Sequence, residues 1–399
     1  MTEGTASSPG VRLPWAGKNV RIEQAEEELA FLWRMSADNV RGTHVNVRTS
    51  VLNFVICAPD TETAKQASAL LRDLSSTHLA RVIVLILDPN SSPNAVTTWV
   101  TLRCFSILSD LMRHCFEQVT ILPTGSAVRA AANIIHSILK PDLPVYMWWL
   151  GDPPQDVTIF RRLMEISNRV IVDSIGFLNP EQDIQTLALL LQATSDCALS
   201  DLNWGRLTPW RQLVLQFFNA EYRTYLEAVT SLEIEHAVAP LATSTRNERG
   251  DVSPNPTAAL LLAGWLKSQL GWTLSQSAHV QRDTTSGTYY WSLEAPGRAV
   301  PVSISIRPQV QPAMRPGSIC LVRLSSTSGG QQAIFTIDRE GDPDHVLTSV
   351  ELSRETRPQR TVKLASVESE SELLHDELEI MGHDVPFEAT LQEVATLLA

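Results

Sequence analysis

Residues Arg81–Leu87 read RVIVLIL, and Asp88-Pro89 closes the run. An unbroken apolar run of strand length is what a strand buried on both faces requires, and such strands belong to parallel sheets covered by helices. Upstream, Val51–Cys57 is a second apolar run, ended by Ala58-Pro59-Asp60, and Thr61–Leu74 follows with helical spacing and Asp60 or Thr61 as its cap. Downstream, Thr98–Phe105, Val119–Leu122, Val145–Leu150 and Val170–Val172 read as strands. Ala127–Leu139, Val157–Ile166 and Asp183–Ala193 read as the helices between them. Repeated strand–helix alternation predicts an α/β layered domain with a mostly parallel sheet.

The pattern changes after a polar, proline-containing stretch at 238–257. A helix at Ala258–Leu270 precedes five short strands: Tyr289–Leu293, Val302–Ile306, Ile319–Leu324, Ala333–Ile337 and Val346–Leu352. Turns rich in Gly, Pro and Ser separate them, and two helices, Ser369–Met381 and Pro386–Leu398, close the chain. This predicts a flexible arm at 1–20, an α/β domain at 21–237 that opens with a helix over Ile22–Met35, a linker at 238–257, and a smaller α+β domain with antiparallel strands at 258–399.

At 399 residues, 44% hydrophobic and 19% charged, the chain is an ordinary globular protein. A net charge of -12 argues against nucleic acid and against an anionic membrane surface. No apolar run is long enough to span a bilayer and Met1–Gly10 lacks an apolar signal core, so a cytoplasmic protein is expected. Cys57, Cys104, Cys115, Cys197 and Cys320 are odd in number and scattered, which reads as thiols in a reducing compartment, with a redox switch as the alternative.

Two segments concentrate tryptophan. Asp201–Arg211 reads DLNWGRLTPWR and leads into an amphipathic helix at Thr208–Phe218, with Thr208 at the N-cap and Pro209 at the first helical position. Leu143–Pro154 reads LPVYMWWLGDPP, where alternation puts Trp148 and Trp149 on opposite sides of a strand: one in the core, the other covering a helix or facing a partner. Aromatic and arginine side chains of this kind dominate the energetics of protein contacts. Arg206 and Arg211 have Asp201 to pair with, or Trp204 and Trp210 to stack on, so the segment is either an internal clasp or a partner-facing or ligand-facing surface. Neither segment holds a nucleophile, a metal cage or a phosphate loop.

Other candidates are weaker. Thr124-Gly125-Ser126 lies between a strand and a helix, where backbone amides hold an anion or Ser126 caps the helix; the Walker lysine is absent. His136 lies on an apolar stretch, His114-Cys115 lacks an orienting third group, and His375 and His383 lack zinc spacing. No metal or cofactor is expected. An enzyme or metabolite sensor that binds a phosphosugar near Gly125 and Ser126 is the alternative to an interaction protein.

The two tryptophan segments, together with Leu373–Leu391 (LLHDELEIMGHDVPFEATL), resemble OpcA, the glucose-6-phosphate dehydrogenase assembly family of cyanobacteria, actinobacteria and related bacteria. The resemblance implies a non-catalytic activator that binds glucose-6-phosphate dehydrogenase and promotes its active oligomer at the entry to the oxidative pentose phosphate pathway. It implies partner-binding or supporting roles for Trp148, Trp149, Asp201, Trp204, Arg206, Trp210 and Arg211. Cyanobacterial members are tied to thioredoxin control through C-terminal cysteines, whereas the C-terminal third of this chain holds Cys320 alone.

Overall fold

The computed structural model describes residues 12–38, 45–47, 51–74, 80–107, 112–154, 156–218, 221–240, 254–274, 281–339, 344–353, 355–356, 360–364 and 369–399. Two compact units divide the chain: Met1–Leu150 with Arg162–Asn168, and Gly151–Arg161 with Arg169–Ala399. The division falls after Leu150, where sequence composition shows no break.

The first unit contains β1 (Lys18–Val20), α1 (Ala25–Asp38), β2 (Val45–Val47), β3 (Leu52–Ala58), α2 (Thr61–Leu74), β4 (Ala80–Ile86), β5 (Ala95–Ile107), β6 (Met112–Thr124), α3 (Ala131–Ile138) and β7 (Val145–Trp149). Its strands run in the order β1-β5-β6-β4-β3-β7, with β2 paired to β6. The apolar runs form β4, β3 and β7: β3 and β7 are buried along their whole length, and β4 from Arg81 to Ile86, and both β4 and β7 lie parallel to β3. The sheet is mixed, because β5 and β6 form a long antiparallel hairpin and β1 adds antiparallel to β5. The end of the expected arm is therefore a strand; residues 1–11 lie outside the described residues.

The hairpin also corrects the cysteine reading. Its register sets Cys104 directly opposite Cys115, Cα atoms 4.1 Å apart, and the two form a disulfide. Spacing alone did not show this pairing, because both strands extend beyond the apolar cores that marked them. Cys57, Cys197 and Cys320 are free and buried.

A buried ion network anchors this unit. Arg81, 2% exposed, donates through Nε and Nη2 to Glu117 at 2.9 and 2.7 Å and through Nη1 to the Ile138 carbonyl at 2.7 Å. Arg81 also forks onto Glu26, and Trp33 Nε1 donates to Glu117 at 2.8 Å. Burial pushes the Glu117 carboxyl up, but Arg81, Lys140 and Trp33 outweigh it and hold it down at about 2.

The second unit follows α4 (Val157–Met164), which straddles the division. It contains β8 (Arg169–Val172), α5 (Pro180–Ala193), β9 (Ala198–Asp201), α6 (Leu202–Arg206), α7 (Thr208–Phe217), α8 (Arg223–Leu226), β10 (Val229–Val238), α9 (Thr257–Leu270), β11 (Thr273–Leu274), β12 (Gln281–Asp283) and β13 (Thr288–Glu294). β14 (Val302–Val310), β15 (Ile319–Ser328), β16 (Gln331–Asp338), β17 (His345–Leu352), β18 (Glu355–Thr356), β19 (Arg360–Lys363), α10 (Glu370–Glu379) and α11 (Val385–Leu398) complete it. β8 and β9 pair in parallel. The other strands form one sheet in the order β11-β13-β14-β10-β15-β16-β17-β18, with β12 on β13 and β19 on β17.

This second sheet is antiparallel as expected, apart from β10 and β14, which run parallel. β10 is the strand that the composition shift hid: its alternation of buried Leu232, Ile234 and His236 with half-exposed Ser231, Glu233 and Glu235 looks polar by eye. It ends inside the segment read as a linker, whose residues 241–253 lie outside the described residues.

α9 is apolar on nearly every side and buried from Thr257 to Lys267. Its approach to α11 depends on Gly264, where an added Cβ would stand 2.5 Å from Val394 Cγ2. α9 ends at Gly271 in the left-handed conformation, the usual helix stop.

Candidate functional site

The Asp201–Arg211 segment starts where β9 stops. Asp201 caps α6 by accepting from Asn203 N at 2.9 Å, and it also accepts from Ser174 N at 3.0 Å and from the Ser174 hydroxyl. It is 1% exposed. Burial, then the neighbouring Asp173 charge, pushes its carboxyl up to about 7 against the three hydrogen bonds.

Each charged or aromatic member has an internal partner. Trp204, 3% exposed, donates from Nε1 to Asp384 Oδ2 at 3.0 Å and packs against Phe387 with ring centroids 5.8 Å apart. Asp384 also caps α11 by accepting from Phe387 N at 3.0 Å. Arg206 forks onto Asp173 at 2.6 and 2.9 Å, with Arg315 reaching the same carboxylate at 4.0 Å. The Arg211 guanidinium lies over the Trp204 ring at 3.6 Å and donates to Thr208 Oγ1 at 2.9 Å. Burial lowers Arg211 to about 10, with Asp384 opposing. Trp210 is buried, with the Arg339 guanidinium 5.6 Å from its ring centre.

Thr208 does not cap α7. The cap position is Leu207, Thr208 is already helical, and its hydroxyl serves Arg211 instead. α6 runs almost directly into α7, so no extended residue is left between them to act as a side-chain cap.

The segment is thus a clasp. It joins the turn at Ser174–Gly176, the two short helices and the closing α10–α11 pair, all within the second unit. Asn255 fastens the same turn, fanning its amide over the carbonyls of Ser174, Ile175 and Phe177 at 2.9, 3.0 and 3.2 Å. What the clasp leaves outside is the turn between α10 and α11, where Met381 is 87% and Val385 67% exposed. Asp173, Ser174, Asn255, Asp384 and Arg315 were not legible as members; only the Leu373–Leu391 segment had been singled out, and it supplies Asp384 and Phe387.

Trp148 and Trp149 belong to the first unit. Both rings are buried, at 1% and 6% exposure, and Trp148 stacks on Phe54 with centroids 6.5 Å apart. Neither ring faces outward. Thr124, Gly125 and Ser126 lead into a 3-10 turn rather than an α-helix. The Gly125 amide donates to the Asp88 carbonyl at 3.0 Å and the Ser126 amide to Asn94 Oδ1 at 2.9 Å, so the two donors suited to an anion are already bonded. His114 and Cys115 are neighbours on β6, and Cys115 is in the disulfide. Among the described residues no group of three or more His, Cys, Asp or Glu is placed to hold a metal ion.

These features define a mixed α/β protein whose arginine–tryptophan signature is built into its frame. Comparison with known proteins places it further. Residues 71–189 match the glucose-6-phosphate dehydrogenase subunit N-terminal domain and residues 197–391 its C-terminal domain, and the chain belongs to this OpcA family. Relatives named as the OxPP cycle protein OpcA occur in Synechocystis sp., 34% identical over 160 residues, and Nostoc punctiforme, 34% over 159 residues. Each match covers 40% of this chain and 30% of the relative, so it spans less than a third of the relatives' length. Among solved structures, a dehydrogenase from Chromobacterium violaceum is 11% identical with a TM-score of 0.45, covering 88% of this chain and 94% of that one. At these values the similarity assigns no function. No helix among the described residues is long and apolar enough to cross a membrane.

Proposed function

We propose that the chain is a cytoplasmic accessory protein that binds glucose-6-phosphate dehydrogenase and favours its active oligomeric state, without catalysing a step of its own. The observation that carries this reading is the clasp. Its arginines and tryptophans are spent on internal partners, and its one hydroxyl–carboxylate pair among the described residues, Ser174 on Asp201, is buried at 0% and 1% exposure, out of reach of a substrate. Family membership and the OxPP names of the relatives support the choice of partner.

In this reading Asp201, Trp204, Arg206, Trp210 and Arg211 support the surface rather than form it. They brace the α10–α11 turn, so that Met381 and Val385 meet the dehydrogenase with a smaller backbone ordering cost. Trp148 and Trp149 support the sheet of the first unit in the same indirect way. Activation follows from differential affinity: a partner that binds the active oligomer more tightly raises its fraction.

Titration of purified dehydrogenase with this chain tests the proposal. Its activity should rise and its sedimentation shift toward the larger species. Thermal shift with glucose 6-phosphate, 6-phosphogluconate and NADP provides the control. A large stabilisation of this chain by a sugar phosphate alone, with no effect on the dehydrogenase, would favour a metabolite-binding protein instead.

A further inference from the structure

We propose that the solvent-facing side of the second sheet is a self-complementary interface whose occupant is a second copy of this chain. The strand registers set Ser292, Ser303, Ser231 and Ser325 in one row across β13, β14, β10 and β15. The next row on that face holds Tyr290, Ser305, Glu233 and Arg323, and the row beyond it holds Arg307 beside Glu235. Arg307 pairs with both glutamates and Arg323 with Glu233, which fixes these side chains on a common face. The alternating residues Trp291, Ile304, Ile306, Leu232 and Ile234 point the other way, into the core. Tyr290 is 46% exposed, and the Arg307 and Arg323 side chains are 45% and 39% exposed.

The arrangement matches itself under a two-fold rotation. An axis lying in the interface, parallel to the strands and between β10 and β14, exchanges those two strands and exchanges β13 with β15. Arg307 of each copy then stands over Glu235 of the other. Arg323 stands over the other copy's Tyr290, a cation facing an aromatic ring. The serine row falls on its own counterpart, and short hydroxyl side chains there let two sheets approach to about 10 Å. Such an isologous contact is the common way a chain binds its own copy.

Charge points the same way. The chain carries -12 overall, so two copies repel across most of their surface. On this face two arginines balance two central glutamates. The four overlapping strands, β13, β14, β10 and β15, at about 4.8 Å spacing and about seven residues each at about 3.3 Å, present roughly 440 Å² per copy, which places the contact at the small end of specific interfaces.

Sedimentation velocity of the purified full chain, without dehydrogenase, tests the interface separately from the accessory role. The expected species at micromolar concentration is a dimer. Ser303→Arg and Tyr290→Glu, both at exposed positions, should each give a monomer with unchanged circular dichroism and melting temperature. An assembly larger than a dimer is judged by the same rule: the two variants reduce it, or the proposal fails. A wild-type chain that is monomeric throughout, or a dimer that both folded variants leave intact, overturns it.

Discussion

The guanidinium of Arg211 lies over the indole of Trp204, 3.6 Å from the ring centre, while the indole N–H reaches across to Asp384. One side chain thereby ties a short helix to its successor and to the closing helix of the chain. Arg211→Lys keeps a positive charge but loses the planar stack and the fork geometry. The expected cost is about 1–2 kcal/mol, the range for a desolvated cation–π contact. Urea unfolding reads it directly, and an unchanged midpoint would show that the stack contributes nothing.

The Trp204–Asp384 bond can be separated from the bulk of the ring. Trp204→Phe retains an aromatic against Phe387 and removes the donor to a carboxylate, at an expected cost of about 1.5–3 kcal/mol. Trp204→Ala also leaves a cavity, and should cost about 3–5 kcal/mol. A double-mutant cycle with Asp384→Ala isolates the pair, because loss of the α11 cap is common to both arms. Strict additivity would mean that the two groups do not interact.

How much of this was legible follows from the kind of signal each element gives. β3, β4 and β7 are dominated by apolar residues, the usual look of a strand buried on both faces, whereas β9, equally buried, reads ALSD and gives no such signal. α10 announces itself through Ser369 and Glu372, which form a full capping box in the structure. β10 was missed because its half-exposed face carries Glu233 and Glu235, and its pairing with β14, some seventy residues downstream, leaves no local trace. The clasp was half legible. Trp204, Arg206 and Arg211 stood out by composition, but their partners Asp173 and Asp384 lie 33 and 180 residues from the side chains they bind. Ion-pair partners of that kind become visible only when the fold brings them together.

The Arg81–Glu117 pair supplies a test in the first unit. Both side chains are almost fully buried, at 3% and 1% exposure, and Arg81 is also held by the Ile138 carbonyl. Glu117→Gln leaves a buried guanidinium short of its counter-charge, which costs about 3–5 kcal/mol. The same carboxyl sets a pH limit. Held down at about 2 in the folded chain, it contributes stability that is complete above the unfolded value of about 4.3 and is lost as pH falls toward about 2. Acid titration of the variant should lack that part of the loss, with the folded fraction read by circular dichroism.

Near neutrality the signs divide. Asp201 and Asp183 are both pushed up to about 7, by burial first and a neighbouring aspartate second. Their unfolded value is about 3.9, so the folded chain holds more protons between the two values. Their contribution is complete below about 4 and is lost as pH rises through about 7. His236 runs the other way. Burial lowers it to about 4, so its contribution is complete above about 6.5 and is lost as pH falls. Asp201→Asn should therefore flatten the decline in stability between about pH 4 and about pH 7, as measured by urea midpoints at each pH. An identical slope in the variant would show that Asp201 titrates normally.

The last prediction concerns the surface that the clasp supports. Met381 and Val385 are the most exposed large apolar side chains among the described residues of the second unit, and they flank Asp384, Met381 on the turn and Val385 at the first position of α11. Replacing either by glutamate removes nothing from the core, so unfolding midpoints should move by no more than about 0.5 kcal/mol. If this turn meets the dehydrogenase, Met381→Glu places an uncompensated charge in an apolar contact, and activation of the enzyme in the titration should disappear. Trp204→Ala should lower stability and activation together, because it loosens the support. A Met381→Glu, Val385→Glu double variant that still activates like the wild type would move the recognition surface elsewhere and leave the clasp a purely structural role.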